Sequence, residues 1–479
     1  MGVRTWGVAA WLGLAACGGS PAEEEAVSTP REVEAQACPP GVSSRVKIVI
    51  PPNASVFRRL DGLTHVQGTL YFAVNDLLPE PSALWRSNGT DAGTVPVRTF
   101  SSGYGPITEP VAVGSRLFFQ LSSPVSGNEL WISNGTSSGT GLVQDITPGP
   151  ASSTLLNPVS LNGRLVFFRE GLGTTATELW RSDGTASGTL RVRAVSGTQG
   201  LANKLTLQAS GALLFFRNEA TGTWLWRTNG MLAGTEAVLR LSSPQRPIQQ
   251  VAQAGNLGLF ILQNGPNYQV WKTDGTAQGT VLLDAFGRPV KILGVLGSRV
   301  YLSSFDPDLQ RLRIQSLLLS GGGKASVVTL PQYSEVDVPV VQNTATSAGR
   351  IYFALAHQVG EPVPETVDLW MTDGTADGTR GLFASLTRDE PSPVFATGEG
   401  VVLFTGSSSG LPEPWFTRDT PPITGRLVAT PPETRVFGGD DYTRVGSRIY
   451  FTLVDDTQRN QLWSAPASFT CPPGLSEAR

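Results

Sequence analysis

Short apolar runs recur along the chain between turns that carry Gly. "RLFFQ" begins at Arg116, "RLVFFRE" at Arg164, "ALLFFRN" at Ala212, "RIYFALA" at Arg350 and "RIYFTLV" at Arg448. Runs this short, rich in Phe, Tyr, Leu and Ile and bounded by turns, predict buried β-strands. The pattern around each run is also constant. A short strand such as "EPVAVGS" (109–115) comes first, then the apolar strand, then a variable polar loop such as "SPVSGN" (123–128). "ELWISNGT" and "GTGLVQDI" follow as two strands around an Asn-Gly turn. Four strands in about 45 residues predict a propeller blade.

The Trp-bearing third strand marks the period. Six copies are plain: "LWRSNGTDAGT" with Trp85, "LWISNGTSSGT" with Trp131, "LWRSDGTASGT" with Trp180, "LWRTNGMLAGT" with Trp226, "VWKTDGTAQGT" with Trp271 and "LWMTDGTADGT" with Trp370. Successive Trp are 46, 49, 46 and 45 residues apart, and then 99, about two periods. A decayed copy, "LRIQSLLLSGGGKASVV" from Leu312, fills that gap. Two more decayed copies carry Trp415 and Trp463. Nine units predict a single all-β, closed propeller of nine four-stranded blades, with eight blades and one irregular insertion as the alternative. The last unit stops after its third strand, "QLWSAPA" (461–467). The orphan strand "SRVKIVIPP" (44–52) stands at the other end. Pairing the two completes the last blade and removes the open edges of an unclosed array. The eight Trp are expected to wedge between blades, each worth roughly 2–3 kcal/mol.

The repeated turn reads first as structure. Asn-Gly and Asp-Gly favour hairpins, since Asn or Asp tolerates positive φ and bonds its own backbone, and Gly supplies the next positive φ without a Cβ clash. Here the motif reads as the inner hairpin of each blade. Its second Gly, such as Gly188, is expected to end the turn or form a bulge, and its Thr, such as Thr185 and Thr189, to pair across it. Asp183, Asp274 and Asp373 share their place with Asn88, Asn134 and Asn229, so turn chemistry is kept and charge is not. A calcium loop needs several carboxylates together. The "NGT" sequons at Asn88 and Asn134 follow from the turn. The Arg that opens second strands (Arg116, Arg164, Arg299, Arg350, Arg448) is expected to solubilise a turn.

Composition narrows the chemistry. Charged residues are 16% of the 479, the net charge is −3, and Gly (54) and Pro (35) are plentiful. Nothing here has the basic footprint of nucleic-acid binding. His65 and His357 are the only His, which starves a His triad or a His-rich metal site of parts. No nucleophile motif, zinc spacing or phosphate loop is present. No catalytic residue, metal or cofactor is therefore expected.

The N-terminus carries a different signal. Arg4 precedes an apolar run from Thr5 to Ala16, too short to span a bilayer. It ends in Leu14-Ala15-Ala16-Cys17, which resembles a bacterial lipobox. The resemblance implies a signal peptide over 1–16 and diacylglycerol on Cys17. It also implies, with Gly18 after the Cys, an outer-membrane lipoprotein facing the periplasm or the surface. Residues 17–37, rich in Glu and without aromatics, read as a disordered tether. The propeller is expected over 38–474. Cys38 and Cys471, in matching Cys-Pro-Pro-Gly settings, read as a disulfide in an oxidising compartment.

The repeat is similar to the ELWxxDGTxxGT repeat family of exported bacterial proteins, clearly over 84–380 and weakly over 381–467. The resemblance implies a propeller-like β array at the cell surface, with no established activity or site. The expected role is a monomeric surface binding or scaffold module for a protein or polysaccharide partner, without catalysis. It would act through the variable loops "NDLLPEPS", "LSSPVSGN", "EGLGTTAT", "FDPDLQR" and "HQVGEPVPET". The rivals are a purely structural envelope protein and a glycosidase-like propeller enzyme. The latter would use loop carboxylates such as Asp306, Asp308, Glu361 and Glu365.

Overall fold

A computed structural model describes residues 42–76, 81–171, 177–195, 201–332, 339–358, 366–384, 386, 393–407, 412–418, 424–430 and 434–468. They form an all-β ring of nine blades. Blade 1 consists of strands Arg59–Val66, Thr69–Asn75, Ala83–Ser87 and Val95–Thr99, paired in chain order. Blades 2 to 8 repeat this order over 107–144, 153–194, 201–242, 248–286, 290–329, 340–383 and 394–426. The unit lacking Trp, at 312, is blade 6. Nine is therefore correct and the eight-blade alternative falls.

Blade 9 closes the ring. Its strands Phe437–Val445, Arg448–Val454 and Asn460–Pro466 are completed by the N-terminal strand Val42–Lys47. That strand runs antiparallel to Asn460–Pro466, with Ser44 opposite Ser464. A fifth strand, Val428–Thr430, pairs parallel to the outer side of Val42–Lys47. The closing blade thus has one strand more than the expected four. Arg45 ties the seam to Asp455 (2.9 Å) and Asp456 (2.7 Å).

First strands of consecutive blades approach one another around most of the ring and line its channel. At the junction of blades 8 and 9, the second and third strands of blade 8 take that part. The third and fourth strands lie further out, so the Asp-Gly hairpin is the outer pair of each blade, contrary to the sequence expectation. Second strands are sandwiched between neighbours. Tyr71 belongs to the cluster shared with blade 2, while Phe72 belongs to the one shared with blade 9. Burial on both faces explains why these strands are continuously apolar and do not alternate. Nine such clusters each span one blade junction.

Candidate functional site

The repeated turn resolves into a seven-residue loop, as between Ser87 and Val95. Its Asn or Asp acts through the side chain and not through a positive φ. Asp183 Oδ1 accepts the Thr185 N–H (2.9 Å) and hydroxyl (2.7 Å). Thr185 Oγ1 in turn accepts the Gly188 N–H at 2.9 Å, and Ser182 meets Thr189 across the loop at 2.8 Å. Asn88 makes the same bonds around Thr90. An acceptor is all that is needed, so Asn and Asp interchange. The Thr185 hydroxyl and N–H hold the Asp183 carboxyl below its usual range.

The two Gly have separate reasons. Gly184 sits at φ +89°, open only to Gly at low cost. At Gly188 a Cβ would stand 2.0 Å from Asp183 Oδ1. Of the two roles expected of this Gly, it closes the turn through its N–H; the bulge lies in the fourth strand, opposite the Leu-Trp pair, where Leu84 faces Arg98 while Trp85 faces Pro96. The turn also docks on the preceding blade. Arg116 donates to the Asp183 carbonyl at 2.8 Å and so bridges two blades, whereas Arg299 and Arg448 bond within their own blades, to Ser316 and Ser464. This face is largely committed to contacts between blades, though it also opens into a pocket of about 500 Å³ beside Ser210, Gly211 and Gly255 and one of about 400 Å³ beside Arg86 and Asn88.

The eight Trp have a common place. Trp85, Trp131, Trp180, Trp226, Trp271, Trp370, Trp415 and Trp463 each join the cluster formed with the preceding blade. Trp131, Trp226 and Trp463 are buried and the other five half-buried. Each pairs laterally with a buried second-strand Phe, as Phe260 stacks on Trp271 at 6.0 Å and 5°. In blade 6 both partners change together, to Leu302 and Gln315. Cys17, Cys38 and Cys471 lie outside the described residues, as do Glu361 and Glu365.

Other candidates have partners within the fold. Asp306 is buried between Arg313 (2.7 Å) and Arg288 (3.4 Å) and accepts the Asp308 N–H. Exposed His65 accepts the Gly68 N–H, while buried His357 stands 3.5 Å from Asp368. Among the described residues no trio of His, Cys, Asp or Glu could hold a metal. Glu129, one residue before Leu130-Trp131, is fully buried. It accepts N–H groups from Ile146 (3.1 Å) and Thr147 (3.0 Å) and the Ser153 hydroxyl (3.1 Å). Gln461, at the same place in blade 9, accepts the Val49 and Ile50 N–H groups. The residue before Leu-Trp can thus anchor the chain leaving the fourth strand.

The opposite face carries the second-to-third-strand loops and the connections between blades. There the inner strands of blades 9, 1 and 2 bulge at Asp441-Tyr442, Gly62-Leu63 and Glu109-Pro110, and those of blades 3 to 7 also shift register. Asp441 and Glu109 hold φ of +55° and +50°. For Glu this is uncommon. Asp441 accepts the Leu63 N–H at 2.7 Å across the junction. Crowding by the wall pushes its carboxyl up from the ordinary value, and Asp61 and Asp440 add to this. Its exposed surface lets solvent screen much of the effect.

Between blades 1 and 2 this wall opens into a pocket of about 310 Å³. Phe57, Arg59, Asp61, Asp76, Glu109 and Pro110 are among its lining. Asp61 is held by Arg59 Nε (3.1 Å) and Asn75 Nδ2 (3.2 Å). Asn75 also clasps both backbone groups of Ile107, at 2.9 Å each, and so fixes the two blades together. Ser55 donates to Asp76 at 3.3 Å. Phe57 is half exposed at the lip. Sequence reasoning passed over these residues. Their signal was Gly, Pro or paired Asp inside a strand pattern, as in "RLDGLTHV" and "ITEPVAV".

No known sequence family and no curated protein matches the chain. Among solved structures, it is similar to prolyl endopeptidases (11% identity over 74% of this chain and 55% of that one, TM-score 0.41). Oligopeptidase B from Leishmania major matches at 11% over 73% and 53%, TM-score 0.45. An oligogalacturonate lyase in complex with manganese matches at 12% over 65% and 87%, TM-score 0.39. The chain spans about half the length of the peptidases it matches. At these values the likenesses bear on neither activity nor partners.

Proposed function

We propose that the chain is exported, lipidated at Cys17 and held at the bacterial cell envelope. Its propeller would serve there as a non-catalytic binding scaffold for a protein or polysaccharide partner. One observation carries this reading: the two faces of the ring differ. The turn face repeats one self-satisfied hydrogen-bond network, with its Gly packed on the neighbouring blade. The other face varies from blade to blade, and its pocket at the channel wall gathers Arg59, Asp61, Asp76 and Glu109, whereas the turn-face pockets have Arg86 as their one charged lining residue. It also exposes Val56, Phe57, Val125 and Leu309. Variable loops on a rigid frame are where recognition usually resides.

Envelope protein and polysaccharide fractions, passed over the immobilised full chain, test this. Retention should fall when the loops at 123–126 and 307–310 are replaced by Gly-Ser and stay unchanged when the Thr185 turn is altered. Retention that ignores the loops would sink the reading. Radiolabelled palmitate should enter the wild-type chain and not Cys17→Ala.

A further inference from the structure

We infer that the pocket between blades 1 and 2 is a saccharide subsite, for a neutral or amino sugar within a longer glycan. This rests on the proposed role of the loop face and names the ligand class that one site on it would take. The lining is amphipathic in a particular way. Phe57 and Pro110 offer flat apolar surfaces, Phe57 half exposed at the lip. Asp61, Asp76 and Glu109 offer acceptors, and Arg59 is the one charged donor among the lining residues. A pyranose ring has the complementary form, with C–H faces that lie on an aromatic ring and hydroxyls around its edge that donate to carboxylates. Few convergent polar groups among apolar walls are what small-ligand sites present.

Charge then selects among sugars. The guanidinium of Arg59 is already paired with Asp61 at 3.1 Å, and the exposed Glu109 carboxylate stands at the opposite wall. A uronate carboxylate would meet like charge, whereas a hydroxyl or an ammonium would not. Size limits the occupant as well. About 310 Å³ is at the low end for ligand pockets, so one or two sugar units fit and the rest of a chain must leave through the mouth. That mouth lies on the loop face, where Asp76 ends the second strand's exit and Phe57 belongs to the connection entering blade 1. The walls are preorganised: the Asn75 clasp on Ile107 sets the distance between blades, and Gly62 lets Pro110 approach to where a Cβ would be 2.7 Å from its Cγ.

Titration calorimetry on the detergent-solubilised full chain tests the inference. Cellotetraose, maltotetraose and chitotetraose serve as neutral probes, the tetramer of glucosamine as the amino probe and tetragalacturonate as the anionic one. At least one neutral or amino tetramer should bind. Phe57→Ala and Glu109→Gln, both at exposed positions, should each weaken it at least tenfold, with circular dichroism unchanged. Tetragalacturonate should bind at least tenfold more weakly than the best of these. Preference for tetragalacturonate, or a bound tetramer indifferent to both substitutions, would overturn the inference. If an envelope fraction is retained through the loops at 123–126 and 307–310 but no tetramer binds, the subsite falls and the loop-face reading stands. If neither is seen, both fall.

Discussion

At the scale of single residues, the repeated motif is a set of positions with separate physical reasons. Its first Gly answers to both backbone and neighbour. Gly89 and Gly275 share nearly the same φ, +90° and +88°, so the strain of adding a Cβ is common to them, about 1–2 kcal/mol. Their neighbours differ. At Gly89 a Cβ would stand 2.2 Å from the Tyr450 hydroxyl of blade 9; at Gly275 the nearest atom, on Leu214, is 3.5 Å away. Gly89→Ala should therefore cost more than Gly275→Ala, by about 1 kcal/mol in urea unfolding, and Tyr450→Phe should recover much of the difference. Equal costs would mean that the close approach carries no energy. The Asp is a simpler case. Asp183→Asn should be nearly neutral, and Asp183→Ala should lose about 1 kcal/mol, since it leaves the Thr185 N–H without its acceptor.

At the scale of elements, Glu129 shows what a fully buried anchor does to pH dependence. Desolvation pushes its carboxyl up to about 7, against the pull of the Thr147 and Ile146 N–H groups and the Ser153 hydroxyl, with Asp145 adding to the rise. Arg169 reaches this cluster only through Ser153 (3.2 Å) and Thr147 (2.5 Å). The folded state thus holds a proton that the unfolded chain releases near its ordinary value. The contribution of Glu129 to stability should be fully present below about 4.5 and be lost as pH rises through about 7, by on the order of 3 kcal/mol. Unfolding midpoints from pH 5 to 8 should show this decline, and Glu129→Gln should flatten it. A variant with the wild-type slope would contradict the assignment. The Glu of "ELW" was visible in sequence, but its work was not, because its partners lie 17 to 24 residues on. The legible features were those that repeat: Trp spacing located the blades, including blade 6, where Leu302 and Gln315 replace the Phe-Trp pair. The illegible ones, such as the Arg45 tie to Asp455 and the Asn75 clasp on Ile107, depend on contacts between distant or neighbouring segments that no periodicity encodes. The expectation that the Asn or Asp bonds its own nearby backbone is met by the Thr185 N–H; the positive φ expected of it is not, because the loop is seven residues long and only the Gly after it takes that conformation.

At the scale of the whole molecule, the ring's integrity depends on one strand that comes from the other end of the chain. Val42–Lys47 lies inside a five-stranded sheet, bonded to Asn460–Pro466 on one side and Val428–Thr430 on the other. The added strand Val428–Thr430 was not foreseen, because three residues after a decayed repeat carry no pattern of their own. Removing the N-terminal strand would bare two edges at once and strip Arg45 from buried Asp455, leaving a charge to be protonated or hydrated. A chain lacking residues 42–47 should therefore lose cooperative thermal unfolding and form strand-exchanged oligomers on size exclusion. Cys38 and Cys471 lie just beyond the two paired strands in sequence, and both strands' outward ends point along the same side of the sheet by their antiparallel register. The proposed disulfide would make the latch covalent, worth on the order of 5 kcal/mol by loop-closure entropy. A non-reduced digest of the protein made in an oxidising compartment should contain a Cys38–Cys471 linked peptide. With the bridge intact, Arg45→Ala should leave the protein monomeric; after reduction the same variant should oligomerise. Two free thiols, or oligomers that form equally before and after reduction, would show that the strand alone closes the ring.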